Sequence, residues 1–572
     1  MQGDYVISLP LNELDLRICE ELAVQFQVVD VIAQLFYRRG YRDVESVKRF
    51  FWSDLSELPS PVVLKGVVEA VDLLVEAVDS GWQVVVHGDY DVDGVTSTVL
   101  LVDFLMKLGV EPFWHIPNRL TDNYGLTMES VTQVADGVVM PALLITADCG
   151  ISSVREVRYA QELGFRVIIT DHHQPLSELP QAEAVINPKQ FGCTFVFKDL
   201  CGVGVVFFLL MAVRRRMVER GVWTKDTMPN LREYLDLVAL GTVADVVMLV
   251  DVNRILVRAG LEVIAELGRC GVRALCVEAG LEEVSSEGIA YQLAPRINAA
   301  GRLGKAELAV DLLLSSGVDS ARLLAQQLGQ ANVRRRELEA AVLDQAVLQS
   351  EEQINDGKVS LVLYGRDWHL GVIGIIASRM VDRYQLPALV FTGNVGGDEV
   401  KGSGRSVEGI DLHYVLEQCQ VLIVRFGGHA MAAGLTVQME DFDKFRLMFD
   451  GCVESVGCEA QQQGVFVDVV LDGREDFYDL VKGLQLMEPF GQGNVEPVFL
   501  LRDVRLEGVC RLREHLKFFL LVRGEKISGI GFFMVHLYEV AFGLVDFAFR
   551  LKERSFRGRK RLEVYAVGIW SV

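Results

Sequence analysis

Three aspartates at alternate positions, Asp89, Asp91 and Asp93, stand in the stretch HGDYDVDGVTST, residues 87–98. Further groups of the same chemical character follow: Asp148 in ITADCG, the triplet Asp171-His172-His173 in ITDHH, and Asp245 in LVALGTVADVV. Carboxylates with one or two imidazoles are oxygen-rich donor sets that favour Mn²⁺ or Mg²⁺ over the His/Cys sets of zinc. So much negative charge in one place is costly unless cations compensate it, and two divalent ions would do so. Two such ions about 3.5–4 Å apart can activate a water and stabilise charge on phosphate oxygens. Metal-assisted hydrolysis at phosphorus is therefore the expected chemistry. The Asp-x-Asp-x-Asp-Gly opening also resembles a calcium loop, but that loop needs a preceding helix and a Glu at its twelfth position. Here the twelfth position is Leu100 and the preceding run is β-branched. A single aspartate after a strand commonly caps the next helix. Four separate segments converging on one donor chemistry are not explained by capping.

The elements that must position these residues are legible from hydrophobic pattern. Val84–His87, Ala142–Thr146 and Arg166–Thr170 are short apolar runs that read as buried strands, each ending in acidic or histidine residues. Strands alternating with helical stretches from about 66 to 260 predict an α/β catalytic domain built on a parallel sheet. Active sites in such sheets lie beyond the carboxyl ends of the strands. The expected boundaries are an N-terminal helical segment over 1–60, the catalytic domain over 61–318, a connecting helix over 319–355, a second α/β domain over 356–460, and a strand-rich β-barrel over 461–572.

Composition narrows the class. The chain has 572 residues, ten scattered cysteines without a Cys-x-x-Cys pair, and a formal charge of −22. Scattered cysteines suit a reducing compartment. With no long apolar run and no basic-then-apolar leader, the expectation is a cytoplasmic protein without membrane partners. Net acidity weighs against a polyanionic substrate only until local charges are counted. The densest basic stretch is FAFRLKERSFRGRKRLEVY near the C-terminus, where Phe547, Phe549, Phe556 and Tyr565 alternate with Arg550, Lys552, Arg554, Arg557, Arg559, Lys560 and Arg561. Aromatic rings interleaved with cations suit single-strand binding, with Phe549, Phe556, Arg557, Arg559 and Arg561 the expected contacts.

The Asp-His-His triplet behind the DYDVDG turn resembles the DHH phosphoesterase superfamily. An ordered set of stretches, among them PNRLTDNYGL, APRINAAGRLG, WHLGVIGIIASR, GSGRS, FGGHAMAAG and EPFGQGNVEPVF, resembles its single-strand exonuclease branch over nearly the whole chain. The resemblance implies two Mn²⁺ or Mg²⁺ ions held by Asp91, Asp93, Asp148 as the bridging carboxylate, His172 and Asp245. His87 is a further candidate ligand, from superfamily relatives in which that position is His. Asp89 and Asp171 are expected to orient ligands, and His173 to meet the scissile phosphate or protonate the leaving oxygen. The second α/β domain resembles the DHH-associated domain. There Ser403 and Arg405, with Arg119 from the first lobe, are implied to hold a 5′-terminal phosphate, and His429 is similar in character. Arg296, Asn298 and Arg302 are expected to contact substrate phosphates or brace the centre. The C-terminal barrel resembles an oligonucleotide-binding (OB) fold.

The function implied is metal-dependent hydrolysis of single-stranded DNA from 5′ to 3′ in recombination and repair, beside a helicase and a single-strand-binding protein. Two alternatives are a phosphodiesterase for short oligonucleotides or cyclic dinucleotides, and a non-catalytic replication scaffold. The first has no need of an extended strand-binding barrel, and the second would have lost ligands.

Overall fold

The computed structural model describes residues 5–120, 125–393, 398–457, 464–556 and 559–572. The catalytic lobe is built on five strands in the order Phe113–His115, Gln83–Gly88, Ala142–Ala147, Phe165–Thr170 and Ala184–Ile186, all parallel. Their inner residues, among them Val84 to Val86, Leu143 to Ile145 and Val167 to Ile169, are fully buried. That is why these strands read as continuous apolar runs rather than as alternation. Parallel pairing brings every strand's carboxyl end to one edge. Asp89, Asp148 and Asp171 follow three neighbouring strands and so emerge side by side.

A helix of 38 residues, Val318–Asn355, leads to the second lobe. There a mixed sheet runs in the order Arg425–His429, Ala432–Gln438, Glu399–Arg405, Ala388–Gly393 and Leu361–Gly365. Ser403 and Arg405 lie on one of its inner strands. The last lobe is a seven-stranded sheet whose register shifts near Leu501, Glu507 and Ala548. Such bulges bend a strand and let a sheet roll into a barrel.

The first fifty residues do not stand alone. Cys19, Leu22, Ile32, Leu35, Phe36, Phe50 and Phe51, from three amphipathic helices, share one apolar core with Val469, Leu480, Phe499, Phe518, Phe547 and Phe549 of the C-terminal lobe. The strand Tyr5–Ile7 also pairs in parallel with Val465–Val467. The two chain ends thus make one body, which helical periodicity in the first segment could not reveal. Among the described residues no helix is long and apolar enough to cross a membrane.

Candidate metal centre and the cleft that faces it

Asp91 caps the helix Val92–Lys107, its Oδ1 accepting from the Gly94 amide at 3.1 Å. Two residues further in, Asp93 is buried and accepts from the Gly202 and Val203 amides at 2.6 and 2.8 Å. Those amides open the helix Gly202–Glu219, so a carboxylate sits on a positive helix end. A Cβ at Gly202 would lie 2.6 Å from Asp148 Oδ1, so only glycine lets the helix start this close. The Asp148 amide donates to Thr170 and the Asp171 amide to Ile186, extending the sheet ladder to the residues that carry the chemistry. Asp148 holds φ at 65°, a left-handed conformation that a non-glycine residue keeps at a cost. Val246, next to Asp245, holds φ at 58°, which is costlier still for a β-branched residue.

These backbones bring three donor groups together: Asp148, His172 and His173; Asp93, His172 and Asp245; and Asp89, Asp91 and Asp148, each with ligand atoms within 4.8 Å of one another. His172 Nε2 lies 3.2 Å from Asp148, 3.5 Å from Asp245 and 3.8 Å from Asp93. Both Asp89 oxygens, Asp148 Oδ1 and both His172 nitrogens are buried with no hydrogen-bond partner. Buried polar atoms are ordinarily paired, so this convergence fits a bound cation. The electrostatics agree. Burial, reinforced by neighbouring aspartates, pushes Asp148 and Asp89 well above the carboxylate range, Asp93 to about 7 and Asp245 to about 8. A divalent ion reverses that effect by stabilising the charged forms.

Asp171 is differently placed. Its Oδ1 accepts from the His172 and His173 amides and lies 2.7 Å from His173 Nδ1, while Oδ2 accepts from the Ile151 amide. Burial acts against its charge, but these bonds and both imidazoles hold it below the ordinary carboxylate range. For His173, burial is outweighed by Asp171, Asp245 and Asp91, and the imidazole is raised to about 9. That direction favours the imidazolium form beside the cluster. Burial and that neighbouring cation drive His172 down to about 3, which keeps it neutral and able to ligate.

Two residues are placed differently from the sequence expectation. His87 is fully buried, with Nε2 3.1 Å from Ser130 Oγ and Nδ1 3.8 Å from Cys149 Sγ, and it joins none of the donor groups. Its imidazole serves the packing beneath the centre. Asp89, expected only to orient ligands, joins a donor group with both oxygens unpaired.

Near the centre lies a cluster of arginines, of which Arg119 acts on Asp89 and Arg119 and Arg302 act on Tyr90. The Arg302 guanidinium donates to the Gly371 carbonyl at 3.1 Å, tying the catalytic lobe to the start of the helix Leu370–Tyr384. Burial lowers Arg302 to about 10, helped by the charges of Arg119, Arg335 and Arg405. Burial and Arg119 likewise lower Arg405. Cations crowded this way call for an anion. Arg405 Nη1 donates to its neighbour Gly404's carbonyl at 2.7 Å and lies 3.5 Å from Ser403 Oγ. Arg119 lies over the Tyr90 ring at 4.8 Å. His429 is exposed and is pushed below its ordinary value by partial desolvation and by His173, His413 and Lys189, so it feels the cluster from the other lobe. Asn298 and Arg302 line a cleft of about 270 Å³ together with Val246 and Arg335. Arg296 is not drawn into that arginine cluster; it donates to the Gln292 carbonyl in the field of Arg336 and Glu278.

Sequence reasoning missed Lys189, whose charge acts on His172, Asp245 and His429. It also missed Gly202 and Asn187, whose side-chain amide donates to the His173 carbonyl at 2.9 Å. The Gly-x-Gly opening an apolar helix was the available signal for Gly202. In the C-terminal lobe Phe549 is fully buried among Phe477, Phe499 and Phe547, so it cannot stack on a base. Inward alternation along that strand is the reason. Arg561 is exposed and pairs in register with Arg554. Arg557 and the side chains of Phe556 and Arg559 lie outside the described residues.

A parallel sheet with aspartates at three strand ends and an Asp-His-His turn defines a phosphoesterase of the DHH class. Residues 83–242 match the N-terminal domain of the DHH family, 357–455 the DHHA1 domain and 467–567 the RecJ OB domain. The single-stranded-DNA-specific exonuclease RecJ of Haemophilus influenzae is 37% identical over 93% of this chain and 95% of its own length. That of Bacillus subtilis is 34% identical over 90% of this chain, which spans 64% of the relative's length. The crystal structure of Thermus thermophilus RecJ in complex with Mn²⁺ superposes over all of this chain and 80% of that one, with a TM-score of 0.83 and 32% identity. A Mg²⁺ complex is also known. This chain belongs to the RecJ family.

Proposed function

We propose that this protein hydrolyses the phosphodiester bonds of single-stranded DNA from the 5′ end, with Mn²⁺ or Mg²⁺ at the Asp/His centre, in DNA recombination and repair. The observation that carries the reading is the carboxylate and imidazole cluster together with the crowded guanidiniums of Arg119, Arg302 and Arg405, of which Arg119 acts on Asp89. Two divalent ions held by Asp91, Asp93, Asp148, His172 and Asp245 would supply an activated water and stabilise charge on the phosphate oxygens. Asp89 is a further donor by its position.

The remaining work belongs to the chain's own side chains. Asp171 holds His173 protonated beside the cluster, where the imidazolium can bind a phosphate oxygen or protonate the leaving oxygen. Arg405 and Arg119, with Ser403, grip the 5′-terminal phosphate, and that grip sets the polarity. Asn298 and Arg302 steady the next phosphate at the cleft wall. The C-terminal OB lobe favours long strands over dinucleotides, because a short-substrate enzyme gains nothing from an extended binding surface. The retained donor set weighs against a non-catalytic scaffold. A helicase and the single-strand-binding protein, in the cytoplasm, would supply and hand over the strand.

The test is digestion of end-labelled single- and double-stranded DNA with Mn²⁺, Mg²⁺ or a chelator. Mononucleotide release from the 5′ end of single strands, only with added metal, is the expected result. Release from the 3′ end, or equal attack on duplex, would overturn the reading.

A further inference from the structure

We propose that Lys189 holds the phosphate that follows the scissile one on its 3′ side, from a turn built against the Asp-His-His segment. The proposal rests on the strand-degrading reading above. Lys189 stands just past Ala184–Ile186, the last strand of the catalytic sheet, and so emerges at the carboxyl end that also carries Asp89, Asp148 and Asp171. Its backbone is fastened there. The buried Asn187 accepts from the Lys189 amide at 2.8 Å through its side-chain oxygen and donates to the His173 carbonyl at 2.9 Å through its side-chain nitrogen. Gln190, also buried, donates from its side chain to the Val185 and Lys65 carbonyls at 2.7 and 3.2 Å and closes the turn from the other side.

The ammonium at the tip of this turn is left free. Lys189 is half-buried, and among the described residues its ammonium makes no hydrogen bond and no ion pair, in a chain with 78 acidic residues. Its charge nevertheless reaches His172 and Asp245 in the catalytic lobe and His429 in the second lobe. Once divalent ions balance the aspartates, the anion left to match that ammonium is a substrate phosphate.

Both lobes set the order of the phosphates. In the catalytic sheet the edge strands are Phe113–His115 and Ala184–Ile186, and the three strands that lead to Asp89, Asp148 and Asp171 lie between them. Arg119 follows the first edge strand and Lys189 the second, so the two cations flank the metal centre. In the second lobe Arg405, Ala432 and His429 lie in one row across three neighbouring strands. Side chains in such a row share a face, which sets Arg405 and His429 about 10 Å apart at the usual strand spacing, with only a methyl group between them. Arg119 acts on Arg405 and Lys189 acts on His429, so the order is the same on both lobes. A strand whose 5′-terminal phosphate sits at Arg119 and Arg405 passes the donor cluster with its scissile phosphate and brings the following phosphate to Lys189.

The test is single-turnover release of the first nucleotide, at saturating Mn²⁺, by the full-length wild type, K189A and K189R. The substrates are a 5′-phosphorylated hexathymidylate and the same strand with one uncharged methylphosphonate at its second internucleotide linkage, the one after the scissile bond. In the wild type the methylphosphonate should slow release about tenfold, the size of one charge-assisted contact. K189A should be slowed by a like factor on the charged strand, and there the methylphosphonate should add less than about twofold, because the contact it removes is already gone. K189R should restore both the rate and the sensitivity. An undiminished methylphosphonate effect in K189A would overturn the proposal, as would a wild type indifferent to the methylphosphonate or a K189R enzyme no better than K189A. A loss in K189A beyond about a hundredfold, more than one such contact explains, would overturn it too. A wild type that releases no nucleotide from the all-phosphodiester strand would overturn the strand-degrading reading instead.

Discussion

Asp148, like His172, is shared by two of the donor groups, and its left-handed backbone is strain spent on that position. Asp148→Asn keeps the size but cannot bridge two cations. Loss of an orienting partner alone costs about 10–100-fold, so cleavage should fall by more than about a hundredfold while the thermal melt stays or rises. Rates near wild type would remove the two-ion reading. Asp171→Asn should cost about 10–100-fold, because it loosens His173 without removing a donor from the cluster; an unchanged rate would show His173 to be idle. Arg405→Ala removes a charge-assisted contact worth about 1.5–3 kcal/mol. It should slow 5′-phosphorylated strands about tenfold or more relative to 5′-hydroxyl strands, whereas equal slowing would make Arg405 a general backbone contact. Most of these residues were legible because the strand ends fixed where they emerge. His87 was misleading because a residue one position inside the strand end still points into packing, toward Ser130 and Cys149. Phe549 misled because alternation, and not composition, decides which aromatics reach water.

Between elements, the decisive contacts are made by groups that a sequence pattern assigns to no partner. The clearest is Arg254, 3% exposed on the helix Asp251–Ala265. Its guanidinium donates to the carbonyls of Phe50, Leu486, Met487, Glu488 and Pro489 and lies over the Phe50 ring at 3.9 Å. One side chain thereby joins the catalytic lobe, the N-terminal helices and the segment entering the C-terminal lobe. Burial lowers its guanidinium to about 10, with Arg258 adding to the effect. Arg254→Met should cost on the order of 3 kcal/mol, because several buried carbonyls lose their donor at once. Arg254→Lys should not rescue it, since one ammonium cannot serve a fork of five acceptors. Denaturant unfolding would measure this, and a loss below about 1 kcal/mol would show that water replaces the guanidinium. Strands and helices were readable from periodicity, but an arginine among helical residues gives no sign that its partners lie over two hundred positions away. The same holds for Gly202, whose amide reaches Asp93 from a helix over a hundred residues later.

At the scale of the molecule, the shared core of the two chain ends changes what truncation does. The last donor in sequence order is Asp245, so a chain ending near residue 457 retains every group of the centre. That shortened chain would nevertheless leave Leu22, Ile32, Leu35, Phe36, Phe50 and Phe51 without the partners that bury them. Each large apolar side chain so exposed forfeits about 1.5–3 kcal/mol, and six together match the roughly 5–15 kcal/mol that holds a domain folded. A 1–457 chain should therefore aggregate or melt early. Removing residues 1–60 as well takes away the orphaned helices along with their missing partners. The 61–457 chain should be soluble, bind Mn²⁺, and cleave short 5′-phosphorylated strands, while its affinity for long strands falls with the OB lobe gone. Neutralising Arg554 and Arg561 in the full-length protein should flatten the dependence of log K on log salt by about 0.7 for each DNA phosphate that is no longer neutralised. Thermal melts and strand-length series on the two truncations decide the matter. If the 1–457 chain is as stable and soluble as the full-length protein, the N-terminal helices do not depend on the C-terminal lobe, and Arg254 clamps nothing that matters to folding.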